Sequence, residues 1–135
     1  MKIDILAFCD FAAFYTGKLC IMGAADMIAV GGFPAIARGN IVIKLQFEPK
    51  DVGVHIIKSD ITDEDCKALT SSQSDIRVER FEDDPTKYQL KTQVVCHPVQ
   101  FQIPKPGFHN IGVSVDGHYV HSTPLIVLVF PQKRG

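Results

Sequence analysis

Apolar and polar residues alternate along several stretches of the chain, and this alternation predicts β-strands. In the clearest stretch, 41–47, every second residue is apolar, and polar Lys44 and Gln46 lie on the opposite face. A period of two places successive side chains on opposite faces of a strand, so one face of each such strand is predicted to be buried. The pattern recurs over 2–7, 99–103 and 111–115.

Turn residues separate these stretches into about seven strands. Gly, Pro and Asp punctuate the chain at short intervals, and no segment carries a long apolar period of 3.6 residues with caps at both ends. The sequence therefore predicts a mostly all-β fold, an immunoglobulin-like β-sandwich, as a single domain over residues 1–135.

Three segments give a mixed pattern. Residues 8–15 have aromatic residues at helical spacing, but Gly17 follows and favours a strand and a turn. Residues 62–75 hold an acidic turn and a polar cluster, which predict a loop or a short helical turn, and 82–85 predicts another turn. Pro98 interrupts an otherwise clean strand, so that strand is expected at a sheet edge or at a bulge.

The last third of the chain predicts a hairpin and a strand that is apolar on both faces. Asp116-Gly117 between alternating stretches is typical of a two-residue type I′ turn, which would pair Val115 with His118 and Val113 with Val120. The later run from Leu125 to Phe130 is apolar on both sides, which indicates burial on both faces or a contact with another chain. Its candidate interface residues are Leu125, Val127 and Val129.

Charge and cysteine usage narrow the class of protein. The formal net charge is −1, and the basic residues are scattered apart from a short basic end at 132–134, so neither a nucleic acid nor a membrane is an expected partner. Asp4 and Asp10 interrupt the first apolar run, which argues against a signal peptide. We therefore expect a cytoplasmic protein whose four cysteines are mostly buried thiols.

Several short motifs resemble those of a family of small bacterial proteins of unknown function. They are Phe8-Cys9-Asp10 with Gly17-Lys18-Leu19, the segment 57–65, and the stretch from Pro106-Gly107 through Val115-Asp116-Gly117 to Pro124-Leu125. The resemblance implies a β-sandwich and implies no activity. Two positions depart from the family pattern: Cys66 stands where a glycine is usual, and His109 where an aromatic residue is usual.

The candidate metal ligands do not form a recognisable site. His118 and His121 would point to opposite faces of a strand and could converge only if a bulge lay between them, and the chain has neither a C-x-x-C nor an H-E-x-x-H motif. The acidic turn 63–65 lacks the spacing of a calcium loop. The sequence predicts no metal site, no cofactor and no catalytic residue.

Two hypotheses about function remain. The first is a non-enzymatic binding or assembly module that forms a homo-oligomer or docks on a protein partner. The second is a small-molecule or carbohydrate binder or hydrolase, which requires at least three loop side chains to face one pocket. Its candidate residues are His55, Asp60, Asp63, His97 and His109.

Overall fold

Strands make up most of residues 1–82 and 91–130, which are the residues that the computed structural model describes. Nothing in these two ranges is a helix of the length and apolarity that a bilayer crossing requires. In chain order the elements are β1 (Lys2–Cys9), β2 (Phe11–Tyr15), β3 (Lys18–Met22), β4 (Met27–Val30), β5 (Ala35–Phe47), a 3-10 turn (Pro49–Asp51), β6 (Gly53–Thr62), β7 (Ala68–Val78), β8 (Lys91–Ile103), β9 (Gly107–Val115) and β10 (His118–Val129).

Two sheets enclose the core. One has three strands in the order β1-β5-β8, the other has five in the order β4-β10-β9-β6-β7, and only the β4–β10 pair is parallel. Alternate side chains of both sheets point inward, as the period-two pattern predicts, and the all-β prediction is confirmed. The most deeply buried apolar side chains are Ile41, Ile43, Leu45, Ile57, Ile61, Ile103, Ile111, Val113, Leu125 and Val127.

Strands β2 and β3 form a separate hairpin over the outer face of the three-stranded sheet. Val42 alternates with the core residues of β5 and so points away from the core, yet it is fully buried. A narrow crevice of about 110 Å³ lies where the hairpin meets β8. The strand-and-turn prediction for this part of the chain is confirmed. The crevice is lined by Ala12, Ala13, Phe14, Leu19, Val94 and Cys96.

The polar segment after the acidic turn is a strand, which corrects the prediction of a loop over 62–75. Strand β7 pairs with β6 along its length and is the edge of the five-stranded sheet. The backbone hydrogen bonds between β7 and β6 do not depend on the side chains of β7. A polar run can therefore form a strand although its residues show no alternation of apolar and polar positions. The prediction for Pro98 is confirmed, since β8 is an edge strand. The predicted turn at 82–85, apart from Glu82, and the basic end at 132–134 lie outside the described residues.

The C-terminal hairpin turns where the sequence predicts. His118 lies opposite Val115, and both turn residues have positive φ, 51° at Asp116 and 83° at Gly117. Positive φ at both central positions is what a type I′ turn requires, and glycine adopts it without steric cost. Asp116 also joins β6, because its amide donates to the carbonyl of Ile56 over 2.9 Å.

A β-bulge then shifts the register, so the predicted pairing of Val113 with Val120 is wrong. Val113 lies opposite His121, and Val120 is exposed. A bulge inserts one unpaired residue and moves every later side chain by one position. The ring of Tyr119 lies over Gly112, where an added Cβ would be 2.6 Å from the nearest ring atom.

The inward face of β10 belongs to the core, which corrects the assignment of Leu125 and Val127 to an interface. Both side chains are fully buried among residues of the same domain. Val129, at the end of the strand, is exposed. The outward-pointing apolar residues of β10 are instead Ile126 and Leu128.

The cysteines are mostly exposed, contrary to the prediction. Cys9 is buried, whereas Cys20, Cys66 and Cys96 are exposed, and all four are free thiols. Cys66 has φ 62° in the acidic turn. This left-handed conformation is unfavourable for a residue with a side chain, which explains why a glycine suits the position.

Candidate functional site

His97 on β8 lies inside the domain and joins the two sheets. Its Nδ1 is 2.6 Å from Oγ of Ser59 on β6, and its Nε2 is 2.9 Å from Oγ of Ser74 on β7. A neutral imidazole donates from one nitrogen and accepts at the other, and a hydroxyl can do either, so both contacts can be hydrogen bonds. Burial lowers the pKa of His97, which keeps the ring neutral. We call this trio the serine–histidine clamp.

The distance between the Ser59 hydroxyl and His97 is that of a catalytic serine and its base, but the hydroxyl is not accessible to a substrate. Ser59 is fully buried, so no substrate carbonyl can approach its oxygen. A nucleophilic serine needs both an adjacent base and an open path for the reacting carbon. The arrangement satisfies buried polar groups between the sheets and is structural. The sequence does carry one signal of this contact. Ser59 is a polar residue at an inward position between Ile57 and Ile61, and a buried polar group needs a hydrogen-bond partner.

His55 near the start of β6 is held by acceptors at both ring nitrogens. Nδ1 lies 2.6 Å from a carboxylate oxygen of Asp116, and Nε2 lies 2.6 Å from the carbonyl oxygen of Asp51. Both partners can only accept, so the ring donates from both nitrogens and is an imidazolium. The hydrogen bond to Asp116 is the main cause that raises the pKa of His55.

Asp116 links this pair to the sheet. Its other carboxylate oxygen accepts the amide of Ile56 over 2.8 Å. That hydrogen bond, followed by the one from His55, lowers the pKa of Asp116. The group ties the type I′ turn to β6, and neither ring nitrogen of His55 is free to act as a base.

Asp60 and Asp63 serve local contacts. Asp60 accepts a hydrogen bond from the hydroxyl of Ser71 on the neighbouring strand. One oxygen of Asp63 accepts the amides of Asp65 and Lys67, each over 2.9 Å, and these bonds lower its pKa. Such a carboxylate closes its own turn, as Asx motifs do.

Glu64 extends the edge of the sheet. Its carboxylate accepts the amide of Phe108 over 3.0 Å, just beyond the last paired residue of β6. The side chain thereby replaces a missing strand partner for that amide. The carboxylates of Asp63 and Glu64 therefore both accept backbone amides, Asp63 within its own turn and Glu64 from β9.

His109 points into the domain, as predicted. Its Nδ1 donates to the carbonyl oxygen of Gly107 over 3.1 Å. In the neutral ring this leaves Nε2 as an acceptor, and that atom is buried without a partner among the described residues. The backbone hydrogen bond agrees with the predicted structural role.

The five candidate residues do not share a pocket. Asp63 and His109 both line a shallow depression of about 440 Å³ at one end of the five-stranded sheet. His97 is enclosed, His55 is paired at the opposite end of β6, and Asp60 pairs outward. Within residues 1–82 and 91–130, no three His, Cys, Asp or Glu side chains are placed to hold a metal ion.

Two thiols beside the hairpin, those of Cys9 and Cys96, have raised pKa values. Burial raises the pKa of Cys9, and the neighbouring Cys96 adds to that shift. Burial likewise raises the pKa of Cys96, whose Sγ is 3.7 Å from an oxygen of Asn40. A raised pKa lowers the thiolate fraction, and the thiolate is the nucleophile.

The outer face of the five-stranded sheet carries an apolar surface, of which the sequence pattern indicated the residues of β10 but not their neighbours on β4 and β9. Ile126 lies between Phe108 on β9 and Met27 on β4 in one row across three strands, and Leu128 lies in the next row. Phe108 is 64% exposed, Met27 50% and Leu128 42%. We call these four residues the sheet patch. None of them is charged.

A second apolar surface lies on the hairpin. Phe11 pairs with Met22 across the two strands, and Tyr15 lies on the same face near the tip, whereas Phe14 lies on the other face, at the crevice against β8. Phe11, Met22 and Tyr15 are 55% to 71% exposed, and we call them the hairpin patch. An isolated two-stranded hairpin is marginally stable in water, so its packing on the three-stranded sheet holds this surface in place.

Comparison with known proteins identifies a family but no activity. No curated protein matches the chain. A glycosyl hydrolase family 2 member from Bacteroides cellulosilyticus DSM 14838 is similar in fold, with a TM-score of 0.51 and 12% identity over 71% of this chain and 13% of that one. The Pseudomonas fluorescens alkylpurine DNA glycosylase AlkC has a TM-score of 0.46 and 13% identity over 76% and 28%.

These identities are too low to indicate anything beyond the fold, and the chain spans only a small part of either protein. The family match is more extensive, covering residues 4–128. The chain therefore belongs to DUF6941, a family of unknown function.

Proposed function

We propose that this protein is a non-enzymatic binding module that attaches to protein surfaces through its sheet patch. The observation that carries the proposal is the uncharged row formed by Phe108, Ile126 and Met27, flanked by Leu128. The largest contiguous apolar patch on a protein surface is often an interaction site. Aromatic residues and Met are also enriched at the centres of protein interfaces.

The polar residues of the chain support a non-enzymatic role. The buried serine–histidine clamp gives no access to substrate, and His55 already donates from both nitrogens. The hydrolase hypothesis required three of its candidate side chains in one pocket, and the geometry gives two. We therefore do not argue for a hydrolase.

We also propose that the protein acts in the cytoplasm. Three of the four cysteines are exposed free thiols. Exposed thiols persist in a reducing compartment, whereas oxidising compartments favour disulfides. This supports an intracellular setting for the partner that the sheet patch contacts.

Site-specific photo-crosslinking tests the proposal. A photo-reactive phenylalanine replaces Phe108 in one variant and Ile36 in a matched control, because Ile36 is 63% exposed and lies on the other sheet. After irradiation of cells that express each variant, we expect a discrete crosslinked protein species from position 108 and not from position 36. Mass spectrometry then identifies its composition. Equal yields from both positions, or no product from position 108, would overturn the proposal.

A further inference from the structure

A shallow depression lies on the outer face of the three-stranded sheet, at the base of the β2–β3 hairpin. Its volume is about 440 Å³, and it is separate from the depression that Asp63 and His109 line. Residues of β5 and β8 form its floor, and Asp10, between β1 and β2, lines it as well. Because Gly39 lies opposite Val99, whose side chain is buried, the strands present mainly backbone at the centre of this floor. We call this feature the hairpin-base depression.

Two opposite charges line the hairpin-base depression without pairing. Arg38 and Asp10 are both exposed. Within residues 1–82 and 91–130, neither side chain has an ion-pair or hydrogen-bond partner, and the other residues that line the depression are uncharged. A guanidinium group can only donate hydrogen bonds, and an ionised carboxylate can only accept them. Both groups are therefore available to a ligand that carries the two complementary charges.

The base of the hairpin fixes the position of the negative charge. The Asp10 amide donates to the carbonyl oxygen of Met22 over 3.1 Å, and the Asp10 carbonyl oxygen accepts the side-chain amide of Asn40 over 3.0 Å. The Asp10 carboxylate lies against Gly23, where φ is 69° and an added Cβ would overlap a carboxylate oxygen. A binding group that is already held in place loses less conformational entropy when a ligand arrives.

Neutral polar groups lie beside the two charges. Gln100 lies opposite Arg38 across β5 and β8, and Pro98 lies opposite Asn40. The Gln100 side chain has no hydrogen-bond partner in the described part of the chain, so it offers both an N–H donor and a carbonyl acceptor. An amide side chain can therefore pair with polar groups between the charged ends of a ligand, and the Pro98 ring gives a small apolar contact.

We propose that the hairpin-base depression binds small zwitterions, the chemical class of free amino acids and short peptides. The ligand carboxylate pairs with the Arg38 guanidinium, which suits a planar carboxylate because it donates two parallel N–H groups. The ligand ammonium group pairs with the Asp10 carboxylate. A ligand with one charge leaves one of the two protein charges without a counter-charge, so both ends of the ligand contribute. This inference goes beyond the proposed function, since the depression and the sheet patch lie on different sheets.

Nuclear magnetic resonance titrations of the isotope-labelled protein test the proposal at about pH 6.5, where an α-amino group is protonated and an α-carboxyl group is ionised. The probes are alanine and alanyl-alanine, each also as its N-acetyl form and its C-terminal amide, which lack one charge. We expect at least one free-ended probe to shift the amide signals of residues 38–40 and 99–100 with a Kd on the order of 1 mM, because water screens charges in an open site. Each capped form of that probe should bind at least about threefold more weakly. The relative Kd of alanine and alanyl-alanine distinguishes an amino acid from a peptide as the ligand.

Two variants assign each charge to one end of the ligand. Arg38→Gln should bind the free-ended probe and its amide equally well, and Asp10→Asn should bind the free-ended probe and its N-acetyl form equally well. The control Lys58→Gln removes a positive charge from the other sheet and should keep the wild-type preferences. Unchanged signals from the remaining strands check the fold of each variant, and the capped probes test the wild type without any substitution. The proposal is overturned if neither free-ended probe shifts these signals up to about 20 mM, if capping either end leaves the Kd unchanged, or if a folded variant keeps the discrimination that it should lose.

Discussion

Removing the hydroxyl of Ser59 tests the serine–histidine clamp. Ser59→Ala leaves Nδ1 of His97 without its partner at 2.6 Å, in a place that water does not reach. The loss of one buried hydrogen bond and the unpaired nitrogen together cost about 1–3 kcal/mol. Unfolding entropy of about 2.1 cal/mol/K per residue over 135 residues converts this to a fall in Tm of about 4–10 °C.

Urea unfolding and thermal melts at pH 7.5 measure the effect, with Ser71→Ala as the control. Ser71 also donates a hydrogen bond but is exposed, so water replaces its partner and the change stays within about 0.5 kcal/mol. Adding His97→Phe to Ser59→Ala should recover part of the loss, because the unpaired nitrogen is removed. If Ser59→Ala costs no more than Ser71→Ala, the clamp does not stabilise the fold.

Three further variants test other features of the structure. The pKa of His55 is higher in the folded chain than in the unfolded chain, so its ion pair with Asp116 contributes about 1 kcal/mol to the free energy of unfolding at pH 6, and this contribution is lost as the pH rises through the raised pKa. In urea unfolding between pH 6 and pH 9, His55→Gln should therefore lose less stability than the wild type. The same pH dependence of the free energy of unfolding in both proteins would contradict this. Leu125→Ala should cost about 2–5 kcal/mol by leaving a cavity, whereas Leu128→Ala should cost far less, and equal losses would mean that β10 is assigned to the wrong register. Cys66→Gly should raise the free energy of unfolding by about 0.5–1 kcal/mol, because glycine accepts a φ of 62° without strain; a decrease would show that the cysteine side chain makes a stabilising contact.

One edge of the five-stranded sheet is polar where another chain could pair with it. Edge strands and exposed apolar surface promote unspecific association. Here the edge strand β7 carries a polar segment, Thr70 to Asp75, which makes pairing with another chain at that edge less favourable.

Candidate chemistry in the sequence did not lead to a site. His55, Asp60, Asp63, His97 and His109 could be recognised as groups able to bind or react, but their spacing in the sequence carries no information on their distances in space. The partners that decide their roles lie far away in the chain: Ser59 is 38 residues from His97, and Asp116 is 61 from His55. Those pairings arise only when the sheets assemble.

The sequence by itself determined the all-β class, the position of the type I′ turn and the inward faces of β5 and β9, since alternation and turn residues act over a few neighbouring residues. Only the tertiary structure decided the polar strand β7, the bulge at Val120 and the orientation of Leu125 towards the core. Each of these depends on what lies across the sheet: a partner strand can impose extended geometry on a polar run, and one inserted residue exchanges the buried and exposed faces beyond it. The two apolar patches arise in the same way, because the neighbours of Ile126 on β4 and β9 are set by strand order, which local pattern does not encode.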